Sequence, residues 1–191
     1  MRLIEAAESE IAEHGLQGLK ARNVTTKAGC ALGGLYNVVT DLDGLIILVN
    51  SKTLARLGDT LKEVVPHDAA ADQAIQSLAQ AYVAFAMAET NLWHAVFNHR
   101  LPENQELPQW HQKEYMVLIE NIVKPLHEMF PDLVGDALAL RAQTLFAAVH
   151  GVVQMSLNGQ FAGSPREYLS QEVKALVGAL VRGIEKGRGA L

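Results

Sequence analysis

The feature that most constrains this chain is its apolar period. Hydrophobic residues recur at helical spacing almost throughout, and no run of β-branched alternation interrupts them. Glycines and prolines fall mostly between the helical stretches, where they act as stops. The pattern predicts an all-α chain of nine helices: three short ones within the first forty residues and six mostly longer ones after them.

The first helix is expected from Arg2 to His14, with Ile4, Ala7 and Ile11 on one face and Gly15 as its stop. A second runs from about Ala21 to Ala28 and stops at Gly29. A third begins near Ala31 or Leu32 and ends by Val39. Asp41 is placed to cap a fourth helix that continues to Val65, before Pro66. A seventh is expected from Gln109 to Met129 with a kink at Pro125, and an eighth opens at Pro131. The ninth covers about Arg166 to Lys186. The change of helix length places a domain boundary near residue 47, giving domains 1–47 and 48–191.

Composition excludes several classes. Hydrophobic residues make up 49% and charged residues 19%, enough apolar mass for a sizeable core and against disorder. Cys30 is the single cysteine, so no disulfide framework forms within the chain and the usage fits a reducing cytoplasm. We read Cys30 as a small buried hydrophobe. Glu5, Glu8 and Glu10 near the start argue against a secretory leader. Residues 142–165 carry no Asp, Glu, Lys or Arg, but Gln143, His150, Gln154 and Asn158 there would be costly in lipid, which predicts a buried helix and no membrane span.

Charge is unevenly placed. Residues 1–19 hold one base and four acids, whereas residues 20–40 hold Lys20, Arg22 and Lys27 and no acid. A net charge of −5 argues against non-specific coating of nucleic acid, but one acid-free basic segment is what a phosphate-facing surface requires. The same segment has helix-turn-helix grammar. Val24 and Ala28 share a face, Gly29 permits a tight turn, and Leu35 and Val39 can hold the third helix inward. Ala31, Leu32, Gly33, Gly34, Tyr36 and Asn37 are left for its outer face.

These residues carry a resemblance. Ile4–Glu5–Ala6–Ala7, Ile11–Ala12–Glu13–His14–Gly15, Ala28–Gly29 and Gly33–Gly34–Leu35–Tyr36 resemble, in order and spacing, the DNA-binding domain of the TetR family over about residues 2–48. Val149–His150–Gly151, with Asn158–Gly159–Gln160–Phe161 beyond, is similar to the family's WHG subgroup. The resemblance implies phosphate contacts by Lys20, Arg22, Lys27 and Tyr36, and groove contacts by Leu32, Gly33, Gly34 and Asn37. It also implies a homodimer on a palindromic operator. The departures are Lys20 where the family has a capping Ser or Thr, Ala31 and Gly34 where it has polar residues, Val38 where many members have an aromatic or His, Leu42 where it has a phosphate-binding Lys, and no basic arm beyond Arg2. Fewer phosphate contacts are therefore expected.

No phosphate loop, nucleophile elbow or paired-histidine metal helix occurs, so neither an enzyme, a metal site nor a cofactor is expected. Phe85, Trp93, Phe97, Trp110, Tyr115 and Phe146, with His150 and Gln154, are the candidate lining of a site for a small apolar or aromatic effector. The last two long helices carry wide apolar stripes, including Leu169, Val173, Leu176, Leu180 and Ile184, and are expected to form the dimer. The reading is a DNA-binding transcriptional regulator, a repressor released from operator DNA by such an effector. A helical small-molecule-binding protein with weakened or lost DNA binding is the rival.

Overall fold

A computed structural model describes residues 2–66, 68–159 and 163–187. Gln160 and Phe161 of the WHG-like stretch lie outside the described residues. Ten helical segments occur among those described: α1 (Arg2–Gly18), α2 (Ala21–Ala28), α3 (Leu32–Tyr36), α4 (Leu42–Glu63), α5 (Ala71–Ala88), α6 (Thr90–Asn98), α7 (Gln109–Glu114), α8 (Met116–Met129), α9 (Gly135–Leu157) and α10 (Leu169–Gly187). The all-α reading holds, with the expected seventh helix present as α7 and α8.

The local signals act as their chemistry requires. Gly15 takes φ 68°, ψ −179°, which kinks α1 at the expected stop. Gly29 takes φ 68°, ψ 37° and closes α2 as a left-handed cap, its N–H reaching the Thr25 and Thr26 carbonyls. Lys20 precedes α2 without a side-chain cap bond, as a lysine must. Asp41 caps α4, its Oδ1 accepting the Gly44 N–H at 2.8 Å.

Three boundaries differ from expectation. The break in the seventh helix falls at Tyr115, where the Leu118 N–H bonds the Tyr115 carbonyl at the tighter i→i+3 spacing (3.1 Å). Pro125 is instead carried inside α8. Pro131 does not open the next helix. Val134, in extended conformation, is its N-cap and Gly135 its first residue. The last helix begins at Leu169 because residues up to Tyr168 form turns. Cys30 is exposed, not buried: it follows the left-handed Gly29 and projects from the turn.

The chain forms two compact units. One comprises Met1–Arg56 and Glu89–Glu114, the other Leu57–Ala88 and Tyr115–Leu191. This differs from a division at residue 47. The difference is physical: α6 packs on α1, so residues far along the chain complete the unit that holds α1–α3. Its core gathers Ala7, Ile11, Val24, Leu35, Leu45 and Leu92, all buried. In the second unit α5 packs on α8, α9 and α10, and α9 packs on α8 and α10. Leu118, Leu126, Leu169 and Val173 are almost fully buried there. α4 belongs to the first unit up to Arg56 and to the second from Leu57.

Candidate nucleic-acid interface and effector cavity

In the first unit the α2–α3 surface is built by its three glycines, Gly29, Gly33 and Gly34, and its buried side. Val24, Ala28 and Leu35 are buried, while Lys20, Arg22, Ala31, Leu32, Gly33, Tyr36 and Asn37 are exposed. Gly34 is half-buried against the Cys30 side chain.

Lys27, the third base of the segment, has other partners. Its Nζ lies 2.8 Å from Glu13 Oε1 and 3.2 Å from Glu10 Oε1. The hydrogen bond to Glu13 raises the Lys27 pKa, and the bond from Lys27 lowers that of Glu13. Glu10 is 6% exposed and also accepts from Asn23 Nδ2 at 3.2 Å. Lys27, although exposed like Lys20 and Arg22, thus satisfies a buried carboxylate. Charge counting alone does not mark Glu10 as a buried partner of Lys27. Its signal was an acid next to Ile11 on the buried side of α1.

The acidic first helix is neutralised from a second direction. Glu8 accepts from Lys52 Nζ and Arg56 Nη1, both at 2.5 Å, and Arg56 Nη2 reaches Glu89 at 2.6 Å. Burial alone would raise the Glu8 carboxyl, and the bonds from Lys52 and Arg56 outweigh it, leaving its pKa below the ordinary range. His99 Nε2 lies 2.8 Å from Asp43 Oδ1 in the first turn of α4. These pairs tie α4 to α1 and to residues 89–99 within the unit.

Ser51, His111 and Glu114 also meet in this unit. Ser51 Oγ donates to Glu114 Oε2 at 2.6 Å, and His111 Nδ1 lies 2.7 Å from the same oxygen and 3.0 Å from Ser51 Oγ. A nucleophilic triad needs serine and acid on opposite ring nitrogens. Here both converge on Nδ1, and His111 is fully buried. The cluster therefore joins α4 to α7. Among the described residues no three His, Cys, Asp or Glu side chains are placed to hold a metal. No helix among them is long and apolar enough to cross a membrane.

The eight residues expected to line one effector site are divided between the two units. Trp93, Phe97 and Trp110 lie in the unit that holds α1–α3. Trp93 is fully buried and packs its ring 5.2 Å from Phe97, so it serves as core, while Trp110 is 48% exposed. Phe85 is buried in α5, Tyr115 is half-buried between α7 and α8, and Gln154 is half-buried one turn beyond His150.

Phe146 and His150 do come together, and with them Tyr82. The Phe146 and His150 rings stack at 5.6 Å, Phe146 meets Tyr82 edge-on at 5.5 Å, and Tyr82 Oη lies 2.7 Å from His150 Nδ1. Tyr82 and Phe146 line a cavity of about 40 Å³ whose other walls include Leu61, Leu78, Leu118 and Asn121. Tyr82 was legible in principle, because it extends the Ile75, Leu78, Ala79 stripe of α5.

Burial pushes the His150 imidazole below its ordinary pKa of 6.5. The unfolded chain then takes up a proton near pH 6.5 that the folded chain refuses. Unfolding free energy should be undiminished above that pH and should fall as pH drops toward the lower folded value. His150→Gln, which cannot titrate, should reduce this slope in urea unfolding followed from pH 7.5 to 5. An identical slope in both proteins would exclude His150 as its source.

Residues 75–180, more than half of the chain, match the tetracyclin repressor-like C-terminal domain family. No curated protein matches the chain in sequence. Among solved structures it is similar to a transcriptional regulator from Rhodococcus sp. Rha1, with TM-score 0.70 and 22% identity over 95% of this chain and 95% of that one. It is similar to the transcriptional regulator FadR from Bacillus subtilis in complex with stearoyl-CoA, with TM-score 0.72 and 20% identity over 93% and 96% of the two chains. It is also similar to RolR in complex with resorcinol, with TM-score 0.68 and 19% identity over 95% and 84%. These likenesses concern the fold.

Proposed function

Because this chain belongs to the tetracyclin repressor-like family of transcriptional regulators, we propose that it binds a palindromic DNA operator as a homodimer and is released from it by a small apolar effector. The observation that carries the DNA half is the exposed α2–α3 surface, where Lys20 and Arg22 stand in a segment without a single acid. Lys20, Arg22 and the Tyr36 hydroxyl are assigned to phosphates, and α3 to the major groove. Lys27 is assigned to holding Glu10 and Glu13.

The effector is assigned to the cavity bordered by Tyr82 and Phe146. Its lining side chains are apolar apart from Asn121 and the aromatic Tyr82, which favours a neutral, largely apolar ligand. The named ligands of two fold relatives, stearoyl-CoA and resorcinol, agree with a largely apolar portion. A volume of about 40 Å³ admits only a few atoms. An effector of ordinary size must therefore displace the lining, and that displacement is the differential interaction a switch needs. Leu61 lies both on the cavity and on α4, which gives the displacement a path along α4 toward the DNA-binding helices.

The dimer is assigned to α9 and α10. Leu140 is 64% exposed and Met155 36% exposed on α9, and Leu176, Leu180 and Ile184 are half-buried on α10. Such an apolar strip is what a second copy covers.

Fluorescence anisotropy with the DNA upstream of the chain's own gene tests the reading. Sequence-selective binding that weakens with salt and is reversed by an apolar effector is expected. Selective effector binding without any DNA binding would favour the ligand-binding rival.

A further inference from the structure

The outward face of α3 has an unusual chemistry for a surface that reads bases. Leu32, Gly33, Tyr36 and Asn37 are exposed, and they share one arc because Leu32 and Tyr36, and Gly33 and Asn37, are each one turn apart. Leu35 is buried on the opposite side. Asn37 keeps helical angles, φ −79° and ψ −16°, and so continues the arc. From Gly29 to Thr40 there is no Arg, Lys, Gln, Asp or Glu.

In the major groove, a guanine is read bidentately by Arg or Lys, and a cytosine amino group by a carboxylate. This face supplies neither. It offers Leu32, 41% exposed, the methyl of Ala31 and the amide of Asn37. At Gly33 a Cβ would meet nothing within 4 Å, so the backbone itself can approach a partner closely. The apolar group that the major groove presents is the thymine 5-methyl, and the partner of an Asn amide is adenine N6/N7.

We propose that this chain reads its operator half-site through thymine methyl groups packed on Leu32 and Ala31, with an adenine bonded by Asn37 and no bidentate guanine contact from α3. The inference rests on the DNA-binding reading above and deepens it. Charge commits the face to a duplex. Exposed Lys20 and Arg22 belong to the same acid-free segment, and an apolar face meant for a protein partner has no need to exclude carboxylates over residues 20–40.

The test uses the full chain. Binders are enriched from a random-sequence duplex library, and the enriched duplex is remade with deoxyuridine in place of thymidine, which removes only the 5-methyl groups. Loss of one buried methyl in each half-site should weaken binding by about fourfold each, about fifteenfold for the symmetric pair. Leu32→Ala, at an exposed position, should fold as the parent and shrink that ratio to about fourfold or less. A parent ratio within about twofold overturns the inference while leaving DNA binding intact. So does a full ratio retained by Leu32→Ala, or an enriched half-site without thymine. Enrichment of no sequence overturns both the inference and the DNA-binding reading.

Discussion

Truncation of Trp93 to alanine should lower the unfolding free energy by about 3–5 kcal/mol, the range for deleting a fully buried large aromatic. Trp93 is 0% exposed in α6, against Phe97, in the unit that also contains α1, α2 and α3. The variant should therefore lose DNA binding as it melts, although position 93 is more than fifty residues from the turn at Gly29. Urea unfolding at matched protein concentration measures the first effect, since the apparent stability of a dimer would depend on concentration. A loss below about 1 kcal/mol would mean that the site collapses around the deletion or that the indole is not buried as described.

The second large effect concerns salt. Each phosphate neutralised contributes a slope of about −0.9 to log K against log salt. On the proposed reading, Lys20 and Arg22 on the two heads of a dimer would make four such contacts, a contribution of about −3.6. A fourfold rise in salt should then weaken operator binding about 150-fold through these contacts alone. The double variant Lys20→Ala/Arg22→Ala should bind more weakly at low salt, with a slope shallower by about 3.6. Lys27→Ala should behave differently. Its ammonium is held by Glu10 and Glu13, so the variant should lose thermal stability, with Glu10 left buried beside Asn23 alone, and keep the parent salt slope. A flattening of the slope by Lys27→Ala as large as that from Lys20 or Arg22 would place it on the phosphates after all.

The two variants separate residues that composition treats as equal. All three bases of residues 20–40 look alike as charges. What distinguishes Lys27 is the pair of carboxylates that faces it. Glu10 and Glu13 precede Lys27 by 17 and 14 positions, so no local spacing rule pairs them. The aromatics divide for the same reason. Phe85 and Trp93 are eight residues apart and look like one cluster, yet Phe85 lies in one compact unit and Trp93 in the other.

What the sequence alone determined was what local physics controls. The apolar period made the chain all-α, and Gly15, Gly29 and Asp41 acted as stops and cap where they stand. The inward Leu35 and the outward Leu32, Tyr36 and Asn37 follow from helical spacing within one short segment. Tertiary structure alone decided which distant side chains meet. It paired Glu8 with Arg56, set Tyr82 against His150, and enlisted α6 into the unit of α1–α3. The reason is one of range: a cap or a helical face is satisfied within a turn or two, whereas a buried charge or a cavity wall takes its partner from whichever helix the packing brings alongside.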